Sequence, residues 1–113
     1  MVQSKIEIFT AMLAEQPDNA MIWYGLASEQ YKLENWDEAA KSLRQVVSLN
    51  RDYTAAYQML GTVLANAGDL ASAQQAWGDG IEVADRTGAW KAGQHMRALL
   101  AGVAGADETL CPD

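Results

Sequence analysis

The chain has 113 residues, enough for one domain, and half of them are hydrophobic by a broad count that includes alanine. Its formal charge at pH 7 is −7, from 15 acidic and 8 basic residues, and the lysines and arginines are scattered singly along the sequence. Because phosphate groups are bound by clustered basic side chains, this distribution argues against nucleic acid and against an anionic membrane surface as partners.

The beginning of the chain, MVQSKIEIFT, has no apolar run long enough for a signal peptide or a membrane span. The single cysteine, Cys111, cannot form an internal disulfide and is expected to be a solvent-exposed spectator thiol. We therefore expect a soluble cytoplasmic protein.

Six antiparallel helices are predicted in chain order, because only two prolines occur and apolar residues recur at helical intervals. Their expected ranges are 3–16, 20–33, 36–49, 53–66, 70–84 and 88–103, followed by a flexible tail at 105–113. Two start signals support these ranges. Asn35 and Glu38 have the spacing of a capping box, and Asp69 is a suitable N-cap after the helix breaker Gly68.

The sequence matches itself at a period of about 34 residues, so that large residues fall on large ones and small on small ones. We refer to this spacing as the repeat period. The aligned pairs include Trp23 with Tyr57, Leu26 with Leu60, Ala27 with Gly61, Ala39 with Ala73, and Leu43 with Trp77. Small residues at fixed places allow two antiparallel helices to approach closely, while the large ones fill the space between them. Gly80 has the same packing explanation, whereas no reason is evident for Gly78.

A helix–turn–helix unit with this period and with these aromatic, leucine and small positions resembles the tetratricopeptide repeat, as found in small bacterial proteins of that family. The resemblance implies an all-α fold, a right-handed α-α superhelix, in one domain over residues 1–104. Within it, residues 3–19 resemble a half repeat that ends in a proline turn at Pro17. Residues 20–53 and 54–87 resemble complete repeats, and residues 88–103 stand where such arrays carry a capping helix.

The resemblance further implies that the first helices line a concave groove that holds a segment of a partner protein. The positions that match the family's groove are Met21, Tyr24, Ser28, Tyr31 and Lys32 on the second helix, and Ala55, Gln58, Met59, Thr62, Ala65 and Asn66 on the fourth. From these and the edge of the last helix, the residues expected to bind a partner are Met21, Tyr24, Ser28, Tyr31, Gln58, Thr62, Asn66 and Trp90. The subclass that grips C-terminal carboxylates uses Lys and Asn at places that here hold Tyr24, Gly25 and Met59, so that clamp is missing. An alternative reading is that Tyr24 and Tyr31 merely cover neighbouring helices.

The last predicted helix carries an apolar face, and two arrangements are open for it. The face consists of Ala89, Ala92, Met96, Leu99, Leu100 and Val103. The helix could rotate so that this face packs on helix 70–84, or part of the face could stay open as a contact with a partner or with a second copy.

Catalytic chemistry has little support in this sequence. His95 is the one histidine, the glycines do not form a phosphate loop, and no combination of residues indicates a metal or cofactor site. We therefore expect a non-enzymatic module that binds another protein or peptide, with a self-assembling scaffold that uses its terminal helices as the alternative.

Overall fold

The structure is a computed structural model that describes residues 4–110, of which residues 103–110 are described by their backbone alone. This part of the chain forms six helices and contains no strand. The helices are α1 (Lys5–Glu15), α2 (Ala20–Lys32), α3 (Trp36–Leu49), α4 (Thr54–Asn66), α5 (Leu70–Thr87) and α6 (Trp90–Leu110). Each helix packs against its neighbours in the chain, and the result is an elongated right-handed α-α solenoid of 55 × 32 × 19 Å. Within residues 4–110, no helix is both long enough and apolar enough to span a bilayer.

The turns inside the two hairpins α2–α3 and α4–α5 repeat each other one repeat period apart. In each, a backbone amide after the turn reaches the same carbonyl near the end of the first helix: Asn35 N donates to Gln30 O and Asp69 N to Leu64 O, both at 2.9 Å. The residue before each donor has a positive φ, 60° at Glu34 and 90° at Gly68. The backbone conformation of these turns therefore recurs with the same period as the sequence.

The turns that lead into α2 and α4 also share one interaction. Trp23 Nε1 donates to the carbonyl oxygen of Pro17 at 2.8 Å, and the hydroxyl of Tyr57 donates to the carbonyl oxygen of Arg51 at 2.9 Å. Both donors stand at the same distance along the chain from their acceptor. Because the acceptor is a backbone carbonyl, the turn keeps this hydrogen bond when Arg51 replaces the proline.

Within each hairpin, a small residue on the first helix and a large one on the second pack closely. In the first hairpin, fully buried Ala27 and Leu43 occupy equivalent places to Gly61 and Trp77 in the second. A Cβ atom added to Gly61 would collide with the indole of Trp77, which is only 2% exposed. The larger ring on α5 thus requires the smaller residue on α4.

Some predicted boundaries and caps were wrong. α5 continues to Thr87, where Gly88 ends it in the left-handed conformation at φ 82°, and α6 continues to Leu110 instead of ending at 103. The predicted flexible tail is therefore helical over 105–110, and its remainder, with Cys111, lies outside the described residues. Asp69 caps α5 as predicted by accepting from Ser72 N at 3.1 Å.

The predicted capping box at Asn35 and Glu38 is also wrong. In the described structure, the Asn35 side chain makes no cap hydrogen bond. The backbone amide of Asn35, from which the Glu38 side chain would accept in a capping box, donates to Gln30 O instead.

The apolar face of α6 packs mainly on α5, which is the first of the two predicted arrangements. Met96 is completely buried, and its sulfur lies close to Gly80, whose missing side chain makes the space for it. Leu99 and Leu100 are half-buried against the same core. Gly80 thus has the packing role that the sequence suggested.

Candidate functional site

A pocket of about 340 Å³ lies where α2, α4 and α6 converge. Its lining consists of Tyr24 and Tyr31 from α2, Ala55, Gln58, Met59 and Thr62 from α4, and His95 and Leu99 from α6. We refer to these eight residues as the groove. None of them is Lys, Arg, Asp or Glu, and apart from the imidazole of His95 the described lining is aromatic, aliphatic and neutral-polar.

The two tyrosines form one wall, and each is held by another aromatic ring. The ring of Tyr24 stacks on Tyr53 with centroids 5.1 Å apart and an interplanar angle of 27°, while Tyr31 meets Trp36 edge-on at 5.5 Å. Burial, and secondarily the neighbouring Tyr53, raises the pKa of Tyr24 above its ordinary value of 10.0. These rings cover neighbouring helices, as the alternative reading expected, and they also line the groove, so their orientation is fixed before any partner arrives.

The floor of the groove is tied to the hairpin packing behind it. The backbone carbonyl of Gln58 accepts hydrogen bonds from Trp77 Nε1 at 3.2 Å and from the Thr62 hydroxyl at 3.1 Å. Gln58 lines the pocket, and its side-chain amide has both donors and an acceptor. The backbone of α4 at Gln58 is therefore tied to the hairpin behind the groove.

Four of the eight residues predicted to bind a partner line this groove: Tyr24, Tyr31, Gln58 and Thr62. The other four lie elsewhere. Ser28 donates its hydroxyl to the carbonyl oxygen of Tyr24 at 3.0 Å, Met21 is 73% exposed in a shallow depression beside the α1–α2 turn, and Asn66 is exposed at the end of α4. Trp90 is 63% exposed at the start of α6, with Lys91 Nζ 5.6 Å from its ring centroid.

His95 and Leu99 line the groove although the site prediction did not include them. They lie one turn apart on α6, and the rotation that buries Met96 against α5 turns them towards α2 and α4. A signal for Leu99 was present, because one repeat period aligns it with Ala65 and two periods align it with Tyr31. No such signal exists for His95, which aligns with the packing positions Gly61 and Ala27.

Two other depressions are larger, at 490 and 580 Å³, but they are open surfaces around helix ends. They are lined chiefly by turn residues such as Asn35 and Pro17, which already serve the helix connections. The groove is the better candidate because side chains from three separate helices converge on it. Within residues 4–110, no group of three or more His, Cys, Asp or Glu is placed to hold a metal ion.

Comparison with known proteins identifies relatives of the same architecture. A TPR repeat-containing protein of Pseudomonas aeruginosa is 35% identical over 95 residues, which are 84% of this chain and 90% of that protein. A solution structure of a Bordetella parapertussis protein is similar with a TM-score of 0.85 and 29% identity, covering 96% of this chain and 95% of that one. No protein-family model matches the chain.

The similar structures include complexes with a bound ligand. The first TPR domain of Spaghetti, bound to the HSP90 peptide SRMEEVD, has a TM-score of 0.78 and 22% identity, covering 89% of this chain and 75% of that one. At this level of identity the likeness extends to the fold alone.

Proposed function

Because this chain belongs to the family of tetratricopeptide-repeat proteins, we propose that it is a protein-interaction module that holds an extended, uncharged segment of a partner protein in the groove. The observation that carries the proposal is the convergence of two pre-oriented tyrosines, an amide and a thioether on one pocket. A similar fold holds a peptide in the Spaghetti structure, which supports a peptide as the occupant.

The lining defines the chemistry of the segment. Tyrosine supplies a large contact area at a low cost in conformational entropy, and Met59 adapts to irregular apolar shapes. The Gln58 amide can donate to a peptide carbonyl and accept from a peptide N–H. The described lining has no lysine, arginine, aspartate or glutamate, so an acidic or basic group of the partner would be desolvated there without meeting one of these charges. We therefore propose aromatic or aliphatic side chains on an extended backbone as the ligand, in place of a terminal carboxylate.

A peptide-display selection tests this proposal. Random linear peptides are selected against the chain, and the binders are measured by calorimetry on the wild type and on Ala55→Trp. Ala55 is the exposed second residue of α4 and lines the groove, so an indole there fills the pocket without disturbing the core. We expect apolar, uncharged consensus peptides whose affinity falls at least about tenfold in this variant.

Ala71→Trp is the matched control, because Ala71 is the exposed second residue of α5 and lies outside the groove. It should leave the affinity unchanged. Selected peptides that are predominantly acidic, or that bind both variants like the wild type, would contradict groove binding.

A further inference from the structure

We propose that one face of α1 is a self-complementary surface through which two copies of this chain associate about a twofold axis. The face consists of Lys5, Ile8, Met12 and Glu15, which share an arc of about 80° at the usual helical periodicity. We refer to these four residues as the α1 face. Ile8 is 42% exposed and Met12 is 38% exposed, and the two charged residues are also exposed.

The repeat period indicates what kind of surface this is. Shifts by one and by two periods align the α1 face with Ala39, Ser42, Val46 and Leu49 in α3 and with Ala73, Ala76, Gly80 and Val83 in α5. All of these are buried except Leu49, which is half-buried. In α3 and α5 this interior face is covered by other helices of the chain, and Gly80, for example, lies between Tyr57 of α4 and Met96 of α6. In the described structure, no helix of the chain covers the equivalent face on α1.

The residues of the α1 face are larger or charged where the equivalent residues of α3 and α5 are small. They therefore suit a contact other than the close packing within a hairpin. Small residues such as Ala39 and Ala73 allow the close approach of a hairpin partner, whereas the aligned residue on α1 is a lysine. Ile8 and Met12 are larger than the aligned Ser42 and Gly80. Such a face suits a wider helix–helix contact with charges at its rim.

In an antiparallel pair of α1 helices, every residue of the α1 face meets a complementary residue of the second copy. A twofold axis beside residue 10 places Lys5 opposite Glu15 of the second copy, and Ile8 opposite Met12 of the second copy. The same contacts recur on the other side of the axis, as symmetry requires. Two ion pairs would then flank an apolar centre of four side chains.

The helix dipole supplies an independent reason. Lys5 lies in the first turn of α1 and Glu15 in the last, so each charge is placed against the dipole of its own helix. In the antiparallel pair, Lys5 of one copy lies beside the negative end of the other helix, and Glu15 beside the positive end. The arrangement that is unfavourable in one copy becomes favourable between two.

The size of the face limits the strength of the association. Two helices of 11 residues with two apolar side chains each bury less area than a standard protein interface. We therefore expect a weak, concentration-dependent dimer whose contact residues on the α1 face are separate from those of the groove.

Sedimentation equilibrium of the full chain, at concentrations up to about 1 mM, tests the proposal through charge reversal. We expect Lys5→Glu and Glu15→Lys each to weaken the dimer about tenfold or more, because either change turns two attractive pairs into repulsive ones. The double variant should restore wild-type association. One single change raises the net negative charge and the other lowers it, so weakening by both cannot come from net charge.

Lys41→Glu is the matched control, because Lys41 is an exposed lysine on α3 outside the α1 face and the charge change is the same. It should leave the association unchanged. Both single reversals on α1 place charges favourably for the helix dipole, so circular dichroism should find them folded. A wild type that stays monomeric at about 1 mM, single reversals without effect, or a double variant that is not restored would each overturn the proposal.

Discussion

Replacing Gly61 by alanine tests whether close approach at that position holds the second hairpin together. An added Cβ atom would overlap the indole of Trp77, and the nearest atoms belong to a rigid ring instead of the end of a flexible chain. The indole is 2% exposed and its Nε1 donates to Gln58 O at 3.2 Å, so it has little room to move and a hydrogen bond to lose.

The expected magnitude is the balance of three effects. Alanine is favoured over glycine in a helix interior by about 1 kcal/mol. Overpacking a filled core costs about 1–3 kcal/mol, and loss of the indole hydrogen bond about 1 kcal/mol more. We therefore expect Gly61→Ala to lower the free energy of unfolding by about 1–3 kcal/mol, against the trend of helix propensity.

Urea denaturation followed by circular dichroism measures this difference, and Gly78→Ala is the matched control. Gly78 lies inside α5, and a Cβ atom there would meet nothing within 4 Å. The same substitution should therefore stabilise the fold by up to about 1 kcal/mol. If Gly61→Ala is as stable as the wild type or more so, the argument from close packing is wrong.

Three further predictions concern the core and one helix cap. Met96→Ala should cost about 2–5 kcal/mol of unfolding free energy in urea melts because its side chain is fully buried; a loss below about 1 kcal/mol would contradict its packing. Ser42→Ala should cost about 1–2 kcal/mol, since it removes the buried hydrogen bond of 2.8 Å to Gln30 Oε1, and adding Gln30→Leu should cost less than the sum of the single changes. Hydrogen bonding from Ser72 holds the pKa of Asp69 below its ordinary value of 3.8, so the stabilisation is complete above that pH and is lost as the pH falls through the lowered pKa. The stability difference between wild type and Asp69→Asn should therefore change in acid, and a constant difference would count against the cap.

Most of the fold follows from the sequence, because residues one repeat period apart make equivalent contacts as well as being of similar type. The sequence predicts that small residues such as Gly61 let the helices approach closely while large ones such as Trp77 fill the space between them, and the structure places these two against each other. The hydrogen bond from Trp23 to the carbonyl of Pro17 could not be predicted in the same way, since a backbone acceptor leaves no trace in residue type.

The groove was predicted less completely than the fold. Periodicity determines which residues of a helix share a face, but the rotation of a helix about its axis is set by what it packs against. α6 packs on one side only along most of its length, so its rotation depends on how Met96 fits beside Gly80. That single contact brings His95 to the groove. Met21, the first of the residues expected to bind a partner, lies beside the α1–α2 turn and away from the convergence of the three helices.

NMR chemical-shift mapping with a display-selected peptide tests the groove most directly. Titration into the isotope-labelled chain should shift the amide and side-chain signals of Tyr24, Gln58, Met59 and Leu99, while the exposed residues of α3 and α5 stay unchanged. Shifts confined to the outer surface of α3 and α5, or spread over the α1 face with the groove silent, would contradict binding at the convergence of α2, α4 and α6.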